Sequence, residues 1–361
     1  MRLNSLLTSA AIVLMGTSQV LAADAVVAEP EPMDYVKVCD MYGAGFFYIP
    51  GTETCLKISG ELRVQYNYND ISAFAVEKDA QGNVIARADA DVSTGEGTWY
   101  GRVNFDAREE TDYGTLRSYI RTESTGGSNS SEGDVHVRDA YIELGGLSTG
   151  YRTSRVELGG LPGQMFDGAY FGGGRTMYAD YTFAANGLSA MVGASLDQAD
   201  AESVDGYARL DYSADMFSLA AVVGMDNSTS ETAYGVWASV TPTDGLVVQG
   251  YYNAQTGATQ FGTLVDEEAY VYGIGASYQV TDNVNIALGY YAAEFVDLTV
   301  DGIDYGDVEA TGYSANLAWT IVPNLVLQLG YNHEELDDVS VGLITAGAEE
   351  DNYRIRLQRN F

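Results

Sequence analysis

The chain has 361 residues, of which 46% are hydrophobic and only 19% are charged, and its 51 acidic and 18 basic residues give a formal net charge of −33. This charge argues against nucleic-acid binding, because a phosphate backbone is held by clustered Lys and Arg. No run of 18 apolar residues follows the N-terminus, which argues against membrane-spanning helices. The 27 Tyr and 41 Gly with only 6 Pro are typical of a strand-rich chain. A soluble β-protein and an outer-membrane barrel remain.

The first residues are typical of an export signal. Arg2 precedes an apolar stretch over 6–15, and Val20 and Ala22 occupy the positions three and one before a signal-peptidase cut. The sequence therefore predicts a signal peptide over 1–22, cleaved after Ala22, and an exported protein.

Two cysteines, Cys39 and Cys55, follow at short spacing. In an exported protein an isolated even pair is most simply a disulfide. A metal site would need further ligands, and the chain has only two His. We predict a Cys39–Cys55 disulfide, no metal site, no cofactor, and an N-terminal segment over 23–55 that acts as a cap or plug.

From residue 56 onward the hydrophobic pattern has a period of two. Apolar and polar residues alternate over 56–68, and the same alternation recurs at 325–332 and 353–361. This period predicts β-strands with one apolar face. It also fits a soluble sandwich with one hydrated face, so the connections must decide.

The connections alternate between short and long. The seven short turn signals are Asp112-Tyr113-Gly114, Gly145-Gly146, Asn186-Gly187, Ala214-Asp215, Thr243-Asp244-Gly245, Asp282-Asn283 and Pro323-Asn324. Between them lie longer, acidic stretches, predicted as loops over 69–97, 124–133, 255–268, 295–309 and 333–351. One-sided alternation of this kind is typical of a transmembrane barrel. We predict an all-β fold, a 16-stranded antiparallel transmembrane β-barrel over 56–361, with strands of about ten residues.

Three stretches carry a family resemblance. Residues 34–60 read DYVKVCDMYGAGFFYIPGTETCLKISG and resemble the N-terminal signature of alphaproteobacterial general porins. Residues 139–146, DAYIELGG, and the terminal Arg359-Asn360-Phe361 resemble the same family. The resemblance implies a homotrimeric barrel in the outer membrane, among lipid and lipopolysaccharide. Its third long loop would fold inward, and small hydrophilic solutes and ions would diffuse passively through the channel.

Other functions are weighed against this one. A substrate-selective channel would show an ordered aromatic track or a dedicated site in the lumen, and a structural or adhesive barrel would not conduct. Catalysis is not expected. Residues 146–150 match G-x-S-x-G, but they lie at a Gly-rich turn, whereas a nucleophile elbow needs a strand-to-helix turn and a His partner.

Arginine is distributed unevenly along the chain. Between residues 176 and 353 the only basic residue is Arg209. Inward-pointing arginines gather on the predicted first, second, third and last barrel strands, which become neighbours when the barrel closes. The predicted basic side of a pore constriction consists of Arg63, Arg102, Arg121, Arg354 and Arg356. Its predicted acidic side is Glu157 and Asp167 in the Gly-rich third long loop over 152–174. The alternative is that the arginines pair with lumen acids such as Asp106 and Glu123.

Overall fold

The structure is a computed structural model that describes residues 37–128, 133–165, 174–197, 202–257, 268–300, 303–341 and 344–361. The signal peptide predicted over 1–22 and the beginning of the predicted N-terminal segment lie outside these residues. The unit that carries the fold is Val38–Phe361. Within the described ranges, no helix is both long enough and apolar enough to cross a membrane.

The described residues form a short 3₁₀-helix, Asp40–Tyr42, and 17 strands of one sheet. The strands are β1 Phe47–Tyr48, β2 Cys55–Lys78, β3 Val84–Thr111, β4 Gly114–Gly127, β5 His136–Leu144, β6 Leu147–Thr153, β7 Arg175–Ala185, β8 Leu188–Leu196, β9 Val204–Ser213, β10 Phe217–Met225, β11 Thr232–Thr243, β12 Leu246–Gln255, β13 Ala269–Thr281, β14 Val284–Val300, β15 Ile303–Val322, β16 Leu325–Val341 and β17 Ile344–Asn360. Neighbouring strands pair antiparallel, and β17 pairs with β2, which closes the ring. The predicted barrel of 16 strands, β2 to β17, is therefore confirmed.

All seven predicted tight turns connect successive strands, and all lie at the same end of the barrel, which we call the turn end. At one of them Asn186 and Gly187 have φ of 52° and 81°. Positive φ at both central positions is the turn geometry that matches the twist of a hairpin, and Asn and Gly are the residues that adopt it most easily. The sequence signal and the backbone agree for a physical reason.

The opposite end differs from the prediction. The loops predicted over 69–97, 295–309 and 333–351 are largely strand, and the length of the barrel strands, β2 to β17, varies from 7 residues in β6 to 28 in β3. In the first of these regions β2 and β3 stay paired from Asn69 opposite Thr94 to Lys78 opposite Val84. Residues 84–95 are exposed on both faces. The contrast between an apolar and a polar face weakens where both faces meet water, but the backbone ladder between β2 and β3 continues.

The outer face of the barrel is apolar. Leu62, Val64 and Tyr66 are about half exposed, whereas the alternate residues between them point to the lumen. Near the long-loop end a row of tyrosines closes this band, with ring centroids 6.2 Å apart for Tyr68 and Tyr353 and 5.2 Å apart for Tyr331 and Tyr353. Such aromatic girdles mark the edge of the lipid. This arrangement is consistent with an apolar face of the barrel that contacts lipid.

The main apolar core lies inside the barrel. The connection from β6 to β7 turns inward, and Val156 and Leu158, each 3% exposed, pack on residues of the inner wall. The wall side of this core consists of Met191, Tyr207, Ala220, Val222, Ala233, Tyr251, Val271 and Ala293, from β8 to β14. The inward fold of the third long loop is thus present over 154–165, the part of it that the structure describes.

The N-terminal segment is linked to the barrel at the turn end. Cys39 and Cys55 form the predicted disulfide, which is confirmed, and both are almost fully buried beside Phe46. A link closing a loop of this size adds about 3 kcal/mol in the loop-entropy model. The Tyr42 hydroxyl donates to Glu110 at 2.9 Å. Burial and this neighbouring carboxylate raise the pKa of Tyr42 to about 12, so the hydroxyl keeps its proton.

Candidate functional site

Six inward-facing arginines stand side by side on one part of the inner wall, which we call the arginine wall. They are Arg63 on β2, Arg102 on β3, Arg121 on β4, Arg138 on β5, and Arg354 and Arg356 on β17. Strands β17, β2, β3, β4 and β5 are consecutive neighbours in the closed sheet. The five arginines predicted for the constriction are therefore brought onto contiguous strands. The sixth, Arg138, was missed.

The arginine wall is organised around one carboxylate. Glu123, only 7% exposed, accepts ion pairs from Arg102 at 2.9 Å, from Arg121 at 3.0 Å and from Arg138 at 2.9 Å. Arg121 also lies 3.1 Å from Asp139. Arg102 and Arg121 thus have acidic partners on the wall itself, which is the alternative pairing considered above. Because three guanidiniums share Glu123, this part of the lumen retains an excess of positive charge.

The remaining arginines of the wall are fixed through their Nε atoms or by aromatic contact. Arg356 Nε donates to the amide oxygen of Gln65 at 2.8 Å, and Arg354 Nε donates to that of Asn67 at 2.6 Å. Arg63 pairs with Glu61 of its own strand. Its guanidinium lies 4.9 Å from the centre of a tyrosine ring on β3, a cation–π contact. These contacts restrict the orientation of each guanidinium.

The inward loop begins at a contact with the opposite wall. Arg209 on β9 donates from Nη1 to the backbone oxygen of Glu157 at 2.7 Å, and its Nε and Nη2 bond to Asp211. Arg209, the only arginine between residues 176 and 353, therefore holds the start of the loop. Glu157 is partly exposed, between the buried Val156 and Leu158. The other predicted acid, Asp167, lies outside the described residues.

The loop then runs along the inner wall to β15 and β17. The Gln164 side-chain oxygen accepts bonds from Ser314 and from Asn316, the latter at 2.6 Å. Arg354 Nη1 donates to the Met165 backbone oxygen at 2.6 Å, which ties the loop to the arginine wall. Gly163 has φ +68°, and a Cβ there would lie 2.8 Å from the Cβ of Ala287, so glycine suits this close approach.

A group of tyrosines and arginines lines the lumen closer to the turn end. The Tyr119 and Tyr141 rings are stacked at 5.0 Å, and Arg117 and Arg152 lie over them at 5.1 Å and 4.6 Å, respectively. Tyr141 is only 7% exposed. Because guanidiniums cover the rings, these tyrosines support the arginines and offer little open surface on which a solute could stack.

An acidic cluster at the long-loop end was not predicted. Asp197, Asp205 and Asp226 are buried, and one carboxylate oxygen of each lies within 4.8 Å of the others. The Asn227 backbone N–H donates to Asp205 at 2.8 Å, and the Ser228 hydroxyl bonds both Asp197 and Asp226. The cluster joins the connections that follow β8 and β10 to the start of β9. Its three members come from three separate segments of the chain, so no short sequence motif predicts the cluster.

The sequence matches a known family over nearly its whole length. The profile of the family described as Porin subfamily matches residues 24–358. Porin Omp2b of Brucella suis biovar 1 is 34% identical over 304 residues, which is 78% of this chain and 82% of that protein. The putative outer membrane protein y4fJ of Sinorhizobium fredii is 36% identical over 159 residues, 42% of this chain and 43% of that protein, so that match spans less than half of each.

Solved structures share the fold. The outer membrane channel DcaP of Acinetobacter baumannii superposes with a TM-score of 0.65 at 14% identity, covering 87% of this chain and 99% of that one. The anion-selective porin from Comamonas acidovorans gives 0.59 at 15% identity, covering 86% of this chain and 100% of that one. At these identities the likeness concerns architecture alone. Together with the family match, it establishes that the chain belongs to the Porin subfamily, of the alphaproteobacterial general-porin type, and is an outer-membrane porin, a channel for passive diffusion.

Proposed function

We propose that small hydrophilic solutes and ions pass through this barrel between the arginine wall and the inward loop, as in a general diffusion porin. The observation that carries the proposal is the course of residues 154–165. They rest on the β8–β15 side of the lumen and touch the arginine wall at Arg354. A loop held in this way narrows the lumen without filling it, because its contacts are with the wall.

The constriction is proposed to filter by charge as well as by size. Its basic side is formed by Arg63, Arg102, Arg121, Arg354 and Arg356, and its acidic side by Glu157 and Asp167. Fixed charges in a narrow, low-dielectric passage focus their field, whereas surface charges are screened beyond about 8 Å at physiological salt. The excess of arginine around Glu123 supports a positive side.

The proposal is tested by single-channel recording of the purified protein in a planar bilayer under a salt gradient. We expect discrete conductance steps with a linear current–voltage relation near zero voltage, and a reversal potential that reports the ion preference. A folded barrel that inserts and does not conduct would instead favour a structural or adhesive role. A substrate-selective channel would show an ordered track of open aromatic rings. The rings of Tyr119 and Tyr141 do not supply one, because guanidiniums cover them.

We further propose that the protein reaches the outer membrane after cleavage of residues 1–22 and assembles there as a homotrimer in contact with lipopolysaccharide. The n-h-c order of the first residues supports the cleavage. The trimer rests on the family resemblance. The intact mass of the protein isolated from the envelope should equal that of a chain that begins at Ala23. Native mass measurement in mild detergent should give the mass of three such chains. An uncut N-terminus or a monomer alone would contradict the respective proposal.

A further inference from the structure

Three glycines of the inner wall lie directly beneath the inward loop. They are Gly235 on β11, Gly275 on β13 and Gly289 on β14. None of them has a positive φ, so the backbone conformation does not require glycine at these positions. Glycine weakens a strand, and inside a strand it often marks a place where another backbone approaches closely. The reason for these glycines therefore lies in the space above them.

Two of these glycines form a recess for one leucine of the loop. Gly275 and Gly289 face each other as direct partners in the β13–β14 ladder. A Cβ at residue 275 would lie 3.1 Å from the Leu161 Cβ, and one at residue 289 would lie 3.0 Å from the Leu161 Cδ1. Carbon atoms in contact prefer a separation of about 3.5–4.0 Å, so a methyl group at either position would push Leu161 away from the wall. We call this pair of positions the glycine recess.

The loop residues on both sides of Leu161 also lie close to the wall. A Cβ at Gly235 would lie 2.8 Å from the Leu158 Cδ1, and one at Gly275 would lie 3.3 Å from the Pro162 Cδ. Leu158 and Pro162 are both buried. The loop therefore runs from β11 to β14 over wall positions that carry no side chain, and it lies closer to the strands than side chains would allow.

Both ends of this segment are tied to the wall. Arg209 Nη1 donates to the Glu157 backbone oxygen at 2.7 Å, and Arg354 Nη1 donates to the Met165 backbone oxygen at 2.6 Å. With its ends held, the middle of the segment can move away from the recess only toward the lumen. Because closely packed groups transmit a displacement to their neighbours, the depth of the recess fixes how far the loop projects into the passage.

We propose that Gly275 and Gly289 are positioning residues that set the width of the pore. They act through Leu161, because the recess lets this leucine sit deep against the wall and keeps the loop backbone beside it out of the passage. The inference rests on the proposed function, since it assigns the size limit of that same passage to two residues of the wall.

Single-channel conductance of the mature protein in a planar bilayer tests the recess through Gly289→Ala and Gly289→Val. The larger the added side chain, the further the loop has to rise, since overpacked contacts are relieved by backbone shifts. Conductance should therefore fall in the order wild type, Gly289→Ala, Gly289→Val, by about 1.5-fold for the valine variant. Gly206→Ala, on the outer side of β9, is the matched control. A Cβ there meets nothing within 4 Å, so conductance should not change.

A second pair of variants separates the recess from a general disturbance of β14. The other nearest atoms to a Cβ at residue 289 are Gln164 Nε2 and Ser314 Oγ, at the ends of side chains that can rotate. Leu161→Ala removes the carbon that the new methyl group would meet, so Gly289→Ala should hardly change conductance in the Leu161→Ala background. In the background of Leu219→Ala, on the lipid-facing side of β10, the full decrease should remain.

A conductance of Gly289→Val that equals or exceeds that of the wild type would overturn the recess, and so would an equal decrease in both backgrounds. A wild-type barrel that inserts without conducting would instead contradict the proposed function. Thermal unfolding in detergent then tests the recess without conduction. Gly289→Ala should lower Tm less in the Leu161→Ala background than in the wild type, because the effects of changes at contacting residues are coupled. An equal lowering of Tm in both would contradict the recess.

Discussion

Two sides of the lumen are built by different means. The arginine wall is polar, and its shape depends on ion pairs and on hydrogen bonds such as that of Arg356 to Gln65. The opposite side, from β8 to β14, is lined by small and apolar residues, including Ala220 and Ala233, which leave space for the loop residues Val156 and Leu158. Apolar contact positions the loop there, while fixed charge on the other side faces the solute. The difference teaches that the position of the loop and the charge preference of the pore have different physical origins.

The largest effect is expected from breaking the apolar side. Leu158→Asp would bury a carboxylate at a position that is 3% exposed, which costs several kcal/mol and favours release of the loop. Single-channel conductance should rise, and liposomes should admit larger sugars. Leu219→Ala, on the lipid-facing side of β10, is the matched control and should leave both unchanged. An unchanged conductance in Leu158→Asp would mean that the apolar contact does not position the loop.

The next effect concerns charge on the arginine wall. Arg102→Ala with Arg121→Ala leaves Glu123 with Arg138, so the positive excess at this point disappears. A change of about one kT in the local potential predicts a rise in the cation-to-anion permeability ratio on the order of threefold, with a modest increase in pore width. Reversal potentials under a salt gradient measure the change. Repeating the experiment at high salt provides a control, because screening should reduce the shift.

A smaller effect of the opposite sign is expected from the loop. Glu157→Gln with Asp167→Asn removes negative charge from the proposed acidic side, and reversal potentials should move toward anions. Glu157 is partly exposed, so water screens it more than it screens the buried Glu123. If neither this pair nor the arginine pair moved the reversal potential, the constriction assignment would be wrong, although the barrel would stand.

Much of this architecture could be predicted from the sequence because it follows from local rules. The tight turns depend on residues such as Asn186 and Gly187, and the lipid-facing strands on a period of two. The disulfide follows from an isolated pair of cysteines in an exported chain. Arg63 and Arg356 could be placed on neighbouring strands, because a closed barrel joins its first and last strands.

The features that the sequence did not reveal depend on departures from these rules. Arg138 lies beside a register shift between β4 and β5, where alternation no longer tells which residue points inward. The ends of the β2–β3, β14–β15 and β16–β17 hairpins that extend beyond the lipid lack an apolar face, so their sequences predict loops. The anchors Val156 and Leu158 contact residues on β8 to β14 that are distant in sequence. Asp205 and its two acidic neighbours likewise meet only in the folded chain.

The loop's position against the inner wall is the central claim, and a cysteine cross-link tests it most directly. Gly163→Cys with Ala287→Cys adds the only free thiols to a chain whose two native cysteines are already paired. A Cβ at residue 163 would lie 2.8 Å from that of residue 287, so a small movement of the loop away from the wall reaches the spacing of about 3.5–4.5 Å that a disulfide needs. We predict that mild oxidation of the inserted protein links these residues, seen as a new disulfide-bonded peptide pair, with conductance nearly unchanged. Free thiols after oxidation, in a variant that still conducts, would contradict the account.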